Sequence, residues 1–162
     1  MKRLLLCLLC AVLLFACTPQ KNVYRHALFT VSLPDGFEPV DSDSIVCFAP
    51  HSDPLHSSSI TYSTTELNPY FNDFSDREYE DAFRALCGYE SLSVVSSENR
   101  RVDGYDAKRI ACKVRIDQGE HDLIIYAVNG DRTYFFTLLN IEGDPYIDAF
   151  DAMMRTLQFI KQ

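Results

Sequence analysis

The stretch from residue 92 to residue 141 limits the possible folds more than any other part of the chain. It holds four apolar-rich runs, at 92–101, 105–116, 121–128 and 133–141, separated by Asp103-Gly104, Gln118-Gly119 and Asn129-Gly130. Asp-Gly and Asn-Gly suit tight hairpin turns, whose central residues take positive φ. Runs joined this closely pair as antiparallel neighbours, because a parallel pair needs a crossover of about a dozen residues. Within the second run Ile110, Cys112, Val114 and Ile116 fall on one face and Lys113 and Arg115 on the other, the period of a strand. The fourth run, TYFFTLLNI, is apolar on both faces, which predicts a sheet covered on both sides.

Upstream lie three further strand candidates. Residues 27–33 alternate Phe29, Val31 and Leu33 with Thr30 and Ser32, and Pro34-Asp35-Gly36 turns the chain. Residues 44–49 form a short apolar run, and 59–66 place Ile60, Tyr62 and Thr64 on one face. A helix is predicted over Asp76–Cys87. Ser75 and Glu78 have the spacing of a capping box, Phe74 and Tyr79 that of a hydrophobic staple, and Gly88 suits a left-handed cap. Tyr79, Phe83 and Leu86 would form its apolar face. A last helix opens at Asp144-Pro145, with Ile147, Phe150, Met154 and Leu157 facing the core and Asp148 and Arg155 matching the helix dipole. The expected fold is α+β: an antiparallel sheet of about six to seven strands, ending in a four-strand meander and flanked by two main helices, in one domain over 27–162.

The amino-terminal end carries an address. Lys2-Arg3 precede thirteen apolar residues, Leu4 to Ala16, a helix of only ~20 Å against a hydrocarbon core of ~30 Å. That length fits a signal peptide rather than a permanent span. The quartet Leu14-Phe15-Ala16-Cys17 resembles the lipobox of bacterial lipoproteins. The resemblance implies that residues 1–16 are removed, that the Cys17 sulfur takes a diacylglyceryl group, and that 17–26 form a lipidated tether. The expected location is extracytoplasmic, lipid-anchored at the cell membrane or outer-envelope surface, with the membrane itself as one partner.

The formal charge of −8 makes nucleic acid an unsuitable partner, since affinity there comes largely from cation–phosphate contacts. Past Cys17 the chain holds Cys47, Cys87 and Cys112, an odd number without a Cys-x-x-Cys pair, so no essential disulfide and no zinc ribbon is expected. There is no Gly-x-Ser-x-Gly, His-Glu-x-x-His or Gly-x-x-x-x-Gly-Lys motif, and the chain reads as non-enzymatic with no cofactor. A hydrolase with an unrecognised site is the weakest alternative. His51, Asp53 and His56 lie on one loop and offer metal-ligand atoms, but a solvated polar loop explains them better. Asp41-Ser42-Asp43-Ser44 lacks the glycine and distal glutamate of a calcium loop and reads as a turn. Arg100-Arg101 and Lys108-Arg109 would meet across the Asp103-Gly104 turn as a small basic patch, or simply blunt a sheet edge. The partner-binding candidate is the segment 68–74, Asn-Pro-Tyr-Phe-Asn-Asp-Phe. Tyr70 is stiffened by the preceding proline and expected to anchor a protein or small-molecule partner, with Phe71 beside it.

FTVSLPDGF, VDGYDAKRIACKV, NGDRTYFFTLL and IDAFDAMMRTLQF together resemble the PsbP/Mog1-like family of small α+β sandwiches. The resemblance spans about residues 27–160 and rests on fold-building residues, so it specifies architecture better than activity. It implies an antiparallel sheet flanked by helices. The family includes photosystem II extrinsic subunits, a nuclear-transport factor that binds a small GTPase, and bacterial lipoproteins. Binding or assembly is their common theme, and no site residue is carried over from them. The functional expectation is a membrane-anchored lipoprotein with a binding or assembly domain; a small-ligand or metal-binding envelope module is the alternative.

Overall fold

Asp103 and Gly104 both take positive φ, 48° and 84°, and bring Val102 opposite Tyr105 in a two-residue hairpin. Gly104 is needed there because a side chain at that φ would be strained. This hairpin joins two of the longest strands, of eleven and twelve residues. The structure, a computed structural model, describes residues 22–40, 46–49, 57–89, 91–117, 119–141 and 146–160. Their strands are β1 (Val23–Arg25), β2 (Phe29–Ser32), β3 (Glu38–Val40), β4 (Val46–Ala49), β5 (Ser59–Thr65), β6 (Leu92–Val102), β7 (Tyr105–Ile116), β8 (Gly119–Asn129), β9 (Thr133–Asn140) and β10 (Gln158–Phe159). The helices are α1 (Asp76–Cys87) and α2 (Tyr146–Met154), with a single 3-10 turn at Phe71–Asp73.

The fold is α+β, as expected, and the meander is present. Seven strands form an antiparallel sheet in the order β3-β4-β5-β9-β8-β7-β6. The strand at 29–32 does not join it. It forms the middle of a second sheet, β1-β2-β10, with two very short partners. Paired structure begins at Val23, inside the stretch expected to be tether, so the folded part starts before residue 27.

β9 shows why its sequence is apolar throughout. Tyr134, Phe136 and Leu138 pack into one core with Phe29, Phe48, Tyr62 and Phe150. Phe135 packs into a second core with Phe71, Tyr79, Phe83, Ile110 and Cys112. The first core lies between the large sheet, α2 and the small sheet; the second lies between the large sheet and α1. Full burial of each large apolar side chain contributes about 1.5–3 kcal/mol.

The capping box at Ser75 and Glu78 is formed, Gly88 takes φ 71° as the α1 cap, and Phe74 meets Tyr79 with ring centroids 5.7 Å apart. Leu86 departs from expectation: it is exposed, and only Tyr79 and Phe83 of that stripe are buried. α2 ends at Met154, so Arg155 lies just past it and Leu157 is buried from the turn that follows. Two turns also differ. At the β7–β8 reversal Asp117 takes φ 53° and Gly119 is already paired to Ile116, so Gly119 belongs to the strand rather than to the turn. The β8–β9 connection is a three-residue loop, closed by Gly130 N–H donating to the Arg132 carbonyl at 2.9 Å. The expected cap at Asp144-Pro145 lies outside the described residues.

Candidate functional site

The chain leaves β5 at Thr65 and must reach α1 on the second core. It does so through a turn whose alternate residues have opposite fates. Phe71 points inward and is 4% exposed; Phe74, Tyr79 and Phe135 surround it at centroid distances of 5.2, 5.1 and 5.4 Å. The Tyr79 hydroxyl donates to the Phe71 carbonyl at 2.6 Å. Burial first, then the nearby acidic groups, push the Tyr79 phenol up to about 12, so it stays protonated and keeps donating. Phe71 is therefore a core residue and, contrary to expectation, has no free ring to offer beside Tyr70 as a binding anchor.

Tyr70 is 71% exposed. Its backbone is held while its ring is free. Tyr70 N–H donates to Asn68 Oδ1 at 3.0 Å, Asn68 N–H donates to Thr133 Oγ1 at 3.2 Å, and Asp73 N–H donates to the Tyr70 carbonyl at 3.0 Å. With Pro69 before it and Phe71 plugged into the core after it, Tyr70 is an aromatic presented on a braced turn. Such a turn loses little backbone conformational entropy on binding.

Beside this turn, on the α1 face of the β6–β7 ribbon, lies an open hollow of about 510 Å³ lined by Asn72, Asp73, Asn99, Arg101 and Asp106 among others. Lys108 joins the turn to the ribbon: its Nζ donates to the Asn72 carbonyl at 3.2 Å and to Asn99 Oδ1 at 3.0 Å. Asn72 Oδ1 is buried without a hydrogen-bond partner among the described residues, an acceptor waiting for a donor.

A second hollow of about 310 Å³ lies on the opposite, α2 face of the same ribbon, lined by Arg100, Tyr126, Asp151 and Arg155 with their neighbours. Two of its lining residues, Tyr126 and Asp151, form a polar triad with Arg109. Arg109 Nε and the Tyr126 hydroxyl both donate to Asp151 Oδ1 at 2.9 Å, and the two charged side chains are 12% and 24% exposed. A hydrogen bond to a charged group contributes about 1.5–3 kcal/mol. Burial opposes the charge on Arg109, but the Asp151 hydrogen bond and charge outweigh it and hold the guanidinium above its ordinary value. Burial, reinforced by the Asp151 charge, pushes Tyr126 up to about 12. The triad pins α2 to β7 and β8; Tyr126 is a fixed donor rather than a base.

The expected basic patch is not formed. Register sets Arg100 opposite Ala107, Asn99 opposite Lys108 and Arg101 opposite Asp106, so the cations fall on alternate faces. Each also has a polar or acidic partner: Arg100 pairs with Glu98, Arg101 with Asp106 at 3.4 Å, Lys108 with Asn99 and Arg109 with Asp151. Cys17, the 41–44 turn and the His51, Asp53 and His56 loop lie outside the described residues. Cys47, Cys87 and Cys112 are free thiols, and only Cys112 is buried. Burial pushes the Cys112 thiol up to about 12. Among the described residues no group of three or more His, Cys, Asp or Glu side chains is arranged to hold a metal ion, and no helix is long and apolar enough to cross a membrane.

The sequence singles out Tyr70, whose ring the fold leaves exposed, but carries no sign of the triad. Arg109, Tyr126 and Asp151 are separated by 17 and 25 positions and carry no motif; only the α2 docking brings them together.

Solved structures share this architecture. Cyanobacterial PsbP from Synechocystis sp. PCC 6803 matches over 85% of this chain and 91% of its own, with a TM-score of 0.61 at 15% identity. LpqN, involved in cell envelope biogenesis of Mycobacterium tuberculosis, matches over 88% and 91% with a TM-score of 0.57 at 12% identity. The protein PA94 from Pseudomonas aeruginosa matches over 88% and 99% with a TM-score of 0.55 at 17% identity. No protein-family profile and no curated protein sequence matches the chain. The fold is PsbP/Mog1-like, as the sequence resemblance implied.

Proposed function

We propose that this chain is a lipid-anchored envelope protein whose single domain binds a protein partner and catalyses no reaction. Three observations support the reading. The quartet ending at Cys17 resembles a lipobox and follows a short apolar leader. The fold is shared with LpqN, a protein of cell envelope biogenesis, and with PsbP. The observation that carries the binding role is Tyr70: a mostly exposed ring on a turn braced by three hydrogen bonds and a buried phenylalanine. Rigid exposed aromatics of this kind are frequent energetic centres of interfaces, where truncation costs about 2 kcal/mol or more.

The alternative, a small-ligand module, draws on the hollow beside Tyr70. Its volume of about 510 Å³ suits a small molecule, and the orphan Asn72 Oδ1 would accept a hydrogen bond from it. Its polar lining and open shape favour the protein partner instead, whose side chain would fill it from outside.

Two variants separate anchoring from binding. Cys17→Ser is expected to accumulate as full-length precursor without lipid label; processing to the mature length would remove the anchoring claim. Tyr70→Ala is expected to remain anchored and folded while losing its co-purifying partner. A Tyr70→Ala protein that retains every partner would remove the binding claim.

A further inference from the structure

Strand β6 is the outer edge of the seven-strand sheet, eleven residues long. An uncovered edge of that length is a template for another strand. Its first half is closed by α1: Arg84 donates to the Leu92 carbonyl at 2.8 Å, and Val94 N–H donates to Glu80 Oε1 at 2.9 Å. A bulge between Val94 and Ser96 then breaks the register and turns Val95 out to solvent.

The second half is left open. The two-residue turn makes Val102 and Tyr105 a hydrogen-bonded pair, so along the ladder Arg100 and Glu98 bond to β7 while Ser97, Asn99 and Arg101 direct their N–H and C=O groups outward. Among the described residues nothing covers those outward groups. Antiparallel pairing of this segment with itself about Asn99 sets Ser97 against Arg101, Glu98 against Arg100 and Asn99 against Asn99. The outward residues then meet one another, which the pleat requires. Glu98 and Arg100 already pair within each chain, and across the seam each Glu98 also faces the partner's Arg100, so the two pairs join as one alternating-charge cluster on the α2 face. On the α1 face the partner's Arg101 arrives at Ser97, whose hydroxyl donates to Asp76 at 3.1 Å, so an arginine meets a carboxylate there as well. Arg101 is available for this: its pair with Asp106 is 3.4 Å long and both side chains are about three-quarters exposed.

We propose that β6 is a homodimerisation edge, joining a second copy of this chain in antiparallel register about Asn99 to make one continuous sheet. The occupant is a second copy because the segment Ser97-Glu98-Asn99-Arg100-Arg101 complements itself in charge and in backbone phase.

The test uses the full chain in its native membranes, with cysteine placement and oxidative cross-linking read on non-reducing gels, and the parent as baseline for its own thiols. Paired Cα atoms in this register lie about 5.5 Å apart, within disulfide reach. Asn99→Cys is expected to give a covalent dimer. Ser97→Cys alone and Arg101→Cys alone are expected to give none above baseline, because like positions are then about 13 Å apart; the two together are expected to link. A charge swap supplies the second readout on detergent-solubilised protein by sedimentation. Glu98→Arg alone or Arg100→Glu alone places like charges opposite each other and should weaken the dimer about tenfold or more. Glu98→Arg with Arg100→Glu should restore it. No link at Asn99, a link at Asn99 to a different protein, equal linking at every position, or single swaps that leave the dimer intact would each overturn the proposal.

Discussion

Phe71 and Tyr70 are adjacent in sequence, and truncating them should have opposite consequences. Phe71→Ala removes a ring that is 4% exposed and touches Phe74, Tyr79, Phe83 and Phe135. Losing a buried phenylalanine costs about 3–5 kcal/mol through lost transfer energy and the cavity left behind. The site is closed by α1 on one side and β9 on the other, which restricts collapse and places the expected cost near ~4 kcal/mol. That is a large share of the ~5–15 kcal/mol that holds a domain of this size together. With a urea m-value of about 2 kcal/mol/M, the midpoint should fall by about 2 M. Tyr70→Ala removes an exposed ring and should stay within about 0.5 kcal/mol of the parent. Far-UV circular dichroism during urea titration measures both, and the near-ultraviolet tyrosine signal reports tertiary packing because the chain has no tryptophan. Equal effects of the two substitutions, or a Phe71→Ala cost below about 1 kcal/mol, would refute the braced-turn account.

Three further outcomes follow from the same contacts. Asp151→Ala strands Arg109 and Tyr126 without their shared acceptor and should cost about 2–4 kcal/mol in thermal or urea unfolding, more than Asp148→Ala on the exposed face of α2. Cys87 should react with maleimide in the folded protein, whereas Cys112, buried with its thiol pushed up to about 12, should react only after unfolding; mass spectrometry of tryptic peptides distinguishes them. His26 is half-buried, its Nδ1 accepts from Leu28 N–H at 3.2 Å, and burial holds it below its ordinary 6.5. The unfolded chain therefore binds the proton more readily, so this contribution is full above pH 6.5 and is lost as pH falls through the lower folded value. The urea midpoint of the parent should drop more between neutral and mildly acid pH than that of His26→Gln, which keeps an acceptor but cannot titrate.

Much of the frame was legible because it is written in short-range chemistry. Ser75 and Glu78 sit three residues apart and must bond if a helix starts there; Asp103-Gly104 allows a turn few other dipeptides tolerate. The two-faced apolar pattern of β9 announced cores on both sides of the sheet, and both exist. What escaped depends on partners far along the chain. β1, β3 and β10 have two or three residues each, too few for a period, and exist because a longer neighbour supplies hydrogen bonds. The strand at 29–32 has a clear alternation, but alternation does not say which sheet it joins. The basic patch failed on register: the two-residue turn fixes which cation stands opposite which residue, and that places each beside an acid or an amide. Tyr70 and Phe71 look equivalent as residue types; only the path of the turn over α1 decides which is buried.

The central claim, that the turn at residue 70 presents a protein-binding aromatic, is tested most directly by placing a photo-cross-linking phenylalanine analogue at that position in the full chain, expressed in its native cells. Irradiation should yield one adduct of defined mass, absent when the analogue replaces exposed Leu86 on the outer face of α1. No adduct at position 70, or the same adduct from both positions, would contradict the account.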